Sequence, residues 1–563
     1  MEEKILTDKF VEDELHWWNV PGVTLGICQD GRALQVEGFG FRDIAERLPM
    51  TGETLGGIAS CSKSFCSAVI ASLVDEGVLD FDRPVHDYLP ELSFYDETAT
   101  KECTLRDMLY HRTGIAGHDA MWPDDTITRK EYLRRIRFLE PNEPFRYKAQ
   151  YSNTIYNLIG IVAEEVTGKK FEDLVQERIL TPLGMTHTVL SVAAMRGTSN
   201  WAKGYLERTP VPESGKSSQQ WLTGLTEMPA WEMNVGVPAA GVNSCPADML
   251  KWLTLHLQNG QFEGKQLFSS HVMDELHTPA VVMSAFPWRF PEVPGIGEYG
   301  MAWKTTIYRG LTLRYHCGEI EGYSSIECFL PGQNFGMFAL CNHHAPVTPF
   351  LMELVYTAID RALGLPAIDW ACRLHPYLDD NTGSCEGWKL DLCGGAASES
   401  AKADPSETAA ATAENPAPDS PDTSADDTTS ANPAGFRHSE AASPCGSASD
   451  QPAAFRHSAS ECVGSYRSDA YGVYRICEKD NSLFLAYKAW LLPLEHLTEN
   501  LFRVPELKED TLFIDMPLQF TEDAAHKITG FTLRLERTVS PVFFQKLSLT
   551  SLACLGQKLS QTS

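Results

Sequence analysis

The first forty residues change from a helical to a strand-like spacing of apolar positions. Residues 2–18 mix charged and apolar side chains in a pattern typical of an amphipathic helix, which a Pro-Gly pair ends. Residues 23–28 and 33–40 then have the pattern of two strands, and the Asp-Gly pair at 30–31 favours a tight turn between them. The chain therefore opens with a predicted helix and a two-stranded hairpin.

Helical and strand-like patterns then follow one another in blocks. Residues 104–190 are mainly helical and rich in loops, residues 299–341 contain four short strands beginning with 299–303, and residues 352–363 form a closing helix. The hairpin and the later strands are expected to join in one antiparallel sheet, assembled from both ends of the domain and flanked by helices. The pattern predicts an α/β (α+β) sandwich.

The composition changes after residue 393. Residues 394–460 are mostly Ala, Ser, Pro, Asp, Glu and Thr, so they cannot bury enough apolar surface to offset chain entropy and are predicted to be disordered. Short alternating strands return between residues 462 and 547, which predicts a small all-β barrel or sandwich. The expected division is a first domain at 1–375, a linker at 376–460, a β domain at 461–550 and a tail at 551–563.

Composition and charge exclude several classes of function. The chain has 563 residues and a formal net charge of −28, which argues against nucleic-acid binding and against docking on an anionic membrane. Its start has no apolar signal core and no later run is long enough to span a bilayer, so a cytoplasmic protein without a membrane span is expected. The 15 cysteines include no Cys-x-x-Cys pair, which favours buried free thiols over disulfides or a metal site. We therefore expect neither a metal nor another cofactor.

One predicted helix start carries the residues for covalent chemistry. Ser60 and Lys63 are three residues apart and so lie on the same helical face. A serine hydroxyl is a weak nucleophile at neutral pH and needs a nearby base, and a helix N-terminus directs N–H groups at charge that develops beside it. The same pair also fits a helix cap followed by a solvated lysine, so the rest of the chain has to decide.

Further motifs occur in a characteristic order. The elements after the Ser-x-x-Lys pair are Leu-Tyr-His-Arg-Thr-Gly-Ile at 109–115, Tyr-Ser-Asn at 151–153, Pro-Leu-Gly-Met at 182–185 and His-x-Gly at 316–318, followed by Gly-Tyr-Ser at 322–324. With these motifs, residues 5 to 365 resemble the serine β-lactamase and penicillin-binding-protein superfamily, most closely its class C-like branch of esterases, D-aminopeptidases and related hydrolases. The resemblance implies a β-lactamase/transpeptidase-like fold. The C-terminal β segment is similar to the lipocalin-like domain of some of these hydrolases.

The resemblance implies a role for each catalytic position. Ser60 would attack the substrate carbonyl, and Lys63 and Tyr151 would share the role of base, with the lysine charge lowering the pKa of the phenol. Asn153 would bind Lys63 or the substrate amide, although it also fits a plain helix cap. The backbone N–H groups of Ser60 and Glu319 would form an oxyanion hole.

The third motif bears on the substrate. His316 stands where many relatives have the lysine of Lys-Thr-Gly, and with Gly318 it makes the His-x-Gly variant of esterase and peptidase members. Histidine supplies less fixed positive charge at pH 7 than lysine, and Glu319 follows directly, so uncharged or cationic substrates are favoured over a β-lactam carboxylate. Tyr323 would line the pocket. The Glu319 side chain could equally turn to solvent, and Tyr323 could equally serve packing.

The sequence thus predicts a serine hydrolase that cleaves a small ester or amide bond, or a D-amino-acid peptide bond, through a Ser60 acyl-enzyme. Its partner would be a small-molecule ester, amide or peptide, and a homo-oligomer is compatible with the chain. Two alternatives stay open, a β-lactamase with weak activity and a non-hydrolytic member of the fold that binds or senses a ligand.

Overall fold

A nine-stranded antiparallel sheet forms the centre of the first part of the chain. The computed structural model describes residues 4–121, 126–207, 221–283, 286–344, 348–377, 454–487, 490–505, 516–536 and 538–548. Most of the predicted linker at 376–460 and the whole tail at 551–563 lie outside these residues. The described residues belong to one unit of mutually contacting elements.

The helices of the first part range from one turn to four. They are α1 Asp8–Trp17, α2 Ser62–Asp75, α3 Glu97–Glu102, α4 Leu105–Leu109, α5 Arg129–Ile136, α6 Asn153–Thr167, α7 Phe171–Val175, α8 Thr181–Leu183, α9 Val192–Arg196, α10 Val237–Ala240, α11 Pro246–Leu257, α12 Ser270–His277, α13 Thr348–Ala362 and α14 Trp370–Leu374.

The strands of the first part lie mainly at its two ends. They are β1 Gly22–Gln29, β2 Arg32–Asp43, β3 Leu48–Pro49, β4 Gly56–Gly57, β5 Gly204–Glu207, β6 Leu225–Met228, β7 Asn243–Ser244, β8 Gln261–Phe262, β9 Lys265–Gln266, β10 Val281–Val282, β11 Gly297–Tyr299, β12 Lys304–Tyr308, β13 Leu311–Ile320, β14 Tyr323–Leu330, β15 Phe335–Cys341 and β16 His343–His344.

The central sheet joins the start of this region to its end. Its strand order is β10-β11-β12-β13-β14-β15-β1-β2-β3, and Val23 of β1 lies opposite Cys341 of β15. The predicted hairpin is present, because Asp30 (φ 50°) and Gly31 (φ 73°) both adopt the left-handed conformation that a tight turn between twisted strands requires. The predicted α/β sandwich with an antiparallel sheet is therefore confirmed.

The two faces of the sheet bury different helices. On β15, Met337 and Ala339 belong to a hydrophobic cluster that includes residues of α1 and α13, whereas Phe338 and Leu340 belong to one that includes residues of α2, α6 and α11. The alternation follows from the period of two along a strand, and it covers both faces with helices. Helix α2 is thereby fixed against the sheet on the second face.

One strand prediction is wrong. Residues 299–303 were expected to form one strand, but β11 ends at Tyr299 and β12 begins at Lys304. Ala302 lies between them with φ 71°, and an ideal Cβ on Gly300 would lie 2.7 Å from the carbonyl oxygen of Thr278. The backbone turns here instead of continuing the ladder, and β12 pairs back onto β11.

The C-terminal part is a nearly closed nine-stranded antiparallel barrel. After the short helix α15 Ala459–Cys462, its strands are β17 Gly464–Ser468, β18 Gly472–Lys479, β19 Ser482–Tyr487, β20 Trp490–Pro493, β21 Glu495–Thr498, β22 Leu501–Val504, β23 Met516–Glu522, β24 Ile528–Leu533 and β25 Val542–Lys546. The strand order is β20-β19-β18-β17-β25-β24-β23-β22-β21. The two edge strands, β20 and β21, follow each other directly in the chain. Tyr466, Phe531 and Phe544 are buried, which fits the alternation of inward and outward side chains in a small barrel.

The length and the apolar character of the described helices bear on whether the chain can cross a membrane. None of those in the described part of the chain combines the length and the apolar character that a membrane crossing needs.

A buried carboxyl under α2 generates a prediction about stability. Glu327 of β14 is fully buried beside Ser64 and Trp252, and burial raises its pKa to about 8 from an ordinary value near 4.5. The folded state then binds the proton more tightly than the unfolded state, so stability is lost as the pH rises from 4.5 through 8. Because Glu327→Gln cannot ionise, we expect its free energy of unfolding relative to the wild type to rise by on the order of 4 kcal/mol between pH 5 and pH 8.5.

The measurement is urea unfolding at pH 5, 7 and 8.5, with the exposed Glu91→Gln as a control. The gain should grow with pH only for Glu327→Gln. If the difference in free energy of unfolding between Glu327→Gln and the wild type is the same at all three pH values, the pKa of Glu327 is not raised.

Candidate active site

Ser60 and Lys63 face each other at the start of α2. Ser60 lies in the 3₁₀ turn Ala59–Cys61, which leads directly into α2, and Lys63 is one turn later. The Lys63 Nζ atom donates a hydrogen bond to Ser60 Oγ at 2.9 Å. Lys63 is fully buried and Ser60 is 1% exposed, so the alternative of a solvated lysine is wrong.

The Lys63 amine is surrounded by uncharged oxygen atoms. Besides Ser60 Oγ it donates to Asn153 Oδ1 at 2.6 Å and to the carbonyl oxygen of Ala239 at 3.0 Å. Its Nζ atom lies 4.7 Å from the centre of the Tyr151 ring and 5.5 Å from that of Tyr156. Elements α2, α6 and α10 therefore meet at a single amine.

The segment at 151–153 is positioned by the backbone around it. The N–H of Ser152 donates to His111 Nδ1 at 3.1 Å, and the Ser152 hydroxyl donates to the carbonyl oxygen of Ala116 at 2.8 Å. Asn153 is the first residue of α6, and its Nδ2 donates to Asp119 Oδ1 at 3.1 Å. Because an ammonium only donates and a carboxylate only accepts, Lys63 and Asp119 together fix which way the Asn153 amide points.

A directional chain of hydrogen bonds connects this segment to β13. His111 Nδ1 accepts the Ser152 N–H, so the hydrogen of the neutral ring is on Nε2, which lies 3.3 Å from the hydroxyl of Tyr299. His316 Nδ1 lies 2.7 Å from the carbonyl oxygen of Cys317 and must donate to it, which leaves Nε2 to accept from Tyr299 at 3.4 Å. Each member of this chain donates in the same direction.

Both histidines of the chain are neutral at pH 7. Burial lowers the pKa of His316 well below 6.5, and the charges of Lys304 and Lys63 lower it further. The pKa of His111 is lowered by burial and then by the same two lysines. The third motif therefore places an uncharged imidazole on β13.

Gly318 allows β13 to approach the serine turn. An ideal Cβ at this position would lie 2.1 Å from the carbonyl oxygen of Ile58 and 2.5 Å from Ser325 Oγ. The Ser325 hydroxyl donates to the same carbonyl at 2.7 Å, and Cys61 Sγ donates to the carbonyl of His316 at 3.4 Å. A side chain at 318 would push the strand away from Ser60.

The two remaining predicted residues differ in environment. The Glu319 side chain is 8% exposed and its Oε1 lies 3.6 Å from His344 Nε2, so it does not extend into solvent. Tyr323 is buried, and its hydroxyl donates to the carbonyl oxygen of Ala202 at 2.6 Å. Tyr323 also lines a cleft beside the site.

This cleft begins next to the elements that hold Lys63. Its wall includes Ala240 and Gly241, which follow the Ala239 carbonyl, and Ile320, which follows Glu319. Apolar side chains predominate, but two carboxylates, Glu232 and Glu321, also line it. The cleft therefore offers apolar surface and negative charge to a bound molecule.

Three residues of the site carry no sequence signal that singles them out. Asp119 orients Asn153, Tyr299 links the two histidines, and the buried Lys304 contributes positive charge near them. Asp119 follows no motif, and Tyr299 and Lys304 lie in and after a segment whose pattern indicates only a strand. The position of Lys304, directly after the predicted strand at 299–303, is the one sequence feature that sets any of the three apart.

Comparisons with known proteins give a family match and a fold match. A family model described as Beta-lactamase matches residues 8–358, more than half of the chain. The Unguisins hydrolase ungD of Aspergillus violaceofuscus is 26% identical over 380 residues, a match that covers 64% of this chain and 65% of that protein. The chain thus spans just under two thirds of the length of this curated relative.

Two solved structures share the fold. The octameric penicillin-binding protein homologue from Pyrococcus abyssi has a TM-score of 0.53 at 19% identity, and the match covers 96% of this chain and 99% of that chain. The D-amino acid amidase from Ochrobactrum anthropi SV3, complexed with L-phenylalanine, has a TM-score of 0.52 at 25% identity and covers 65% of this chain and 98% of that one. The first match therefore extends over the C-terminal barrel as well.

The hydrogen-bond chain predicts specific tautomers. ¹⁵N NMR of histidine-labelled protein should show His316 protonated on Nδ1 and His111 on Nε2, with both rings neutral at pH 6.5 because burial disfavours the charged form. His316→Gln and His111→Gln assign the signals. An imidazolium signal from His316 at pH 6.5 would contradict the geometry.

Proposed function

Because this chain belongs to the Beta-lactamase family, we propose that it is a serine hydrolase that cleaves a small ester or amide bond through an acyl-enzyme on Ser60. The observation that carries the proposal is the fully buried Lys63 amine, 2.9 Å from Ser60 Oγ. At this distance a proton can pass between the amine and the serine hydroxyl, in the base role that Lys63 would share with Tyr151.

The first half-reaction forms the bond from Ser60 Oγ to the carbonyl carbon, breaks the bond from that carbon to the leaving group, and moves the serine proton to the leaving group by way of Lys63 and Tyr151. Ser60 Oγ attacks the substrate carbonyl carbon while its proton passes to Lys63 or Tyr151, whose ring lies next to the amine. The tetrahedral intermediate then expels the alcohol or amine, which takes a proton from Tyr151. Asn153 holds the Lys63 amine in position, because its Oδ1 atom accepts a hydrogen bond from Lys63 Nζ. Water repeats the sequence on the acyl-enzyme and releases the acid.

The negative charge of the intermediate needs donors that are already in place. In this proposal the N–H groups of Ser60 and Glu319 supply them, since the Ser60 turn and the end of β13 are packed against each other at Gly318. His316 of the same strand accepts a hydrogen bond from Tyr299 as a neutral ring, and its ring centre lies 6.3 Å from that of Tyr151. Tyr323 closes the adjoining cleft.

The charges around the cleft bear on the substrate class. A neutral His316 offers no cation to a substrate carboxylate, and Glu232 and Glu321 repel one. An amine or an uncharged group fits better, which is consistent with the D-amino acid amidase among the similar structures. We therefore favour an ester, an amide or a peptide of a D-amino acid with a free amino group.

The alternatives make different demands on the site. A β-lactamase with weak activity would have to bind the lactam carboxylate against Glu232 and Glu321, which places it second. A non-hydrolytic ligand-binding or sensor protein would not need a buried lysine on the serine hydroxyl. The Lys63 contacts therefore favour the hydrolase.

The division of the chain is part of the proposal. We assign the hydrolase to residues 1–375, a linker to 376–460, a lipocalin-like β domain to 461–550 and a tail to 551–563. The octameric homologue is similar over both folded parts, which supports a homo-oligomer as a proposal.

The nucleophile can be tested by covalent labelling. A fluorophosphonate probe should label the wild type on Ser60, as mapped by mass spectrometry, and Ser60→Ala should lose labelling and at least about 10³-fold in ester turnover. Ser72→Ala, on the same helix and far from Lys63, is the control. Turnover that survives in Ser60→Ala would sink the assignment.

The charge of the cleft predicts a substrate preference. The wild type should hydrolyse D-amino-acid amides better than their N-acetyl derivatives, and Glu321→Gln should reduce that ratio of kcat/KM about fivefold, because a favourable charge pair is removed. Steady-state kinetics on both amides give the ratio, with Glu91→Gln as the control. A ratio unchanged in Glu321→Gln would remove Glu321 from substrate recognition.

A further inference from the structure

The C-terminal barrel contacts the part of the first domain that holds Asn153. Residues 116–121 form a loop that ends in a 3₁₀ turn, Asp119–Met121, and we call residues 116–121 the support loop. One side of the support loop faces α6 and the other side faces the barrel. Buried residues of both parts, among them Ala120 and Met121 of the loop and Tyr471 of the barrel, belong to one continuous hydrophobic cluster.

The α6 side of the support loop binds three consecutive residues. The Ser152 hydroxyl donates to the carbonyl of Ala116, and the Thr154 hydroxyl donates to the carbonyl of Gly117, both at 2.8 Å. Between them, Asn153 Nδ2 donates to the Asp119 carboxylate at 3.1 Å. A displacement of the support loop would therefore move the start of α6 and release the amide that contacts Lys63.

The barrel side of the support loop is held by three side chains. The Tyr471 hydroxyl shares a hydrogen bond of 2.6 Å with His118 Nδ1, and the Tyr487 hydroxyl donates to the carbonyl of Ala120 at 3.3 Å. The Glu536 carboxylate accepts the N–H of His118 at 3.4 Å. His118 and Tyr471 are each 1% exposed, so water does not compete for their hydrogen bond.

The barrel also packs closely against α5, next to the support loop. Gly472 has φ 80°, and an ideal Cβ there would lie 2.7 Å from Arg135 Nη2. Arg134 Nη2 donates to the carbonyl of Asp469 at 3.2 Å. The turn 469–471 between β17 and β18 therefore packs on the first domain, and Tyr471 is its last residue.

We propose that the barrel is a positioning part of the active site, in which Tyr471 and Tyr487 hold the support loop so that Asp119 fixes the Asn153 amide against Lys63. Tyr471, His118 and Asp119 are positioning residues, since they act through Asn153. This inference rests on the proposed function, because it assigns a catalytic consequence to the contact. The path runs from Tyr471 to His118, through the backbone to Asp119, then to Asn153 and Lys63.

The test uses the full chain and two matched tyrosine variants. Tyr471→Phe removes only the hydroxyl that bonds His118, whereas Tyr466→Phe removes a buried hydroxyl that donates to Cys462 within the barrel. We expect fluorophosphonate acylation of Ser60 to slow about fivefold in Tyr471→Phe and to stay at the wild-type rate in Tyr466→Phe. Melting temperatures of both variants show that they are folded.

Hydrogen exchange supplies a readout that does not depend on catalysis. Peptides that cover residues 116–121 and 151–157 should exchange faster in Tyr471→Phe than in Tyr466→Phe or the wild type. In addition, Tyr471→Phe combined with Asp119→Ala should slow acylation by less than the product of the two single effects, because both act on Asn153. Multiplicative effects would show independent action and would overturn the proposal.

The outcomes separate this proposal from the proposed function. If Ser60 of the wild type is labelled but Tyr471→Phe reacts at the wild-type rate, the hydrolase stands and the positioning role is overturned. If the wild type is not labelled on Ser60, the hydrolase fails. If residues 151–157 exchange hydrogen in Tyr471→Phe at the wild-type rate, the positioning role of the support loop is overturned, whether or not Ser60 is labelled.

Discussion

The burial of the Lys63 amine is the constraint on which the site depends. A charged or basic group can lie in the interior only if its hydrogen-bonding capacity is satisfied, and three oxygens from different parts of the chain contact this one. Ser60 comes from the 3₁₀ turn that precedes the helix of Lys63, Asn153 from the start of α6, and Ala239 from α10. Each must be held to within a fraction of an ångström, so the surrounding fold acts largely as a support for these acceptors.

The support comes from the sheet, from the histidine chain and from the barrel. Gly318 lets β13 pack directly on the turn before Ser60, and neutral His111 and His316 join the 151–153 segment to the same strand through Tyr299. Neutrality matters, since a protonated His316 would present a donor to Tyr299 and reverse the direction of the chain. Burial of these rings therefore keeps the direction of the hydrogen-bond chain fixed.

The sequence predicts the parts of the structure that are set by local spacing. The Asp30-Gly31 turn, the position of Ser60 and Lys63 on one helical face and the motif at 151–153 follow from patterns within a few residues. Asp119 could not be found this way, because its importance depends on the Asn153 amide, 34 residues later in the chain. A tyrosine such as Tyr299 fits a strand pattern equally well as a packing residue and as a hydrogen-bond donor, so the sequence does not distinguish the two roles.

The central claim is that Ser60 is a nucleophile set against preorganised N–H donors. A crystal structure of the full chain soaked with a phenylboronic acid tests it most directly, because boron forms a tetrahedral adduct with an activated serine. The account predicts a bond from Ser60 Oγ to boron, one boronate oxygen within hydrogen-bond distance of the N–H groups of Ser60 and Glu319, and Lys63 Nζ still on Asn153 Oδ1. A boronic acid bound elsewhere, or an adduct whose oxygen contacts neither N–H group, would contradict it.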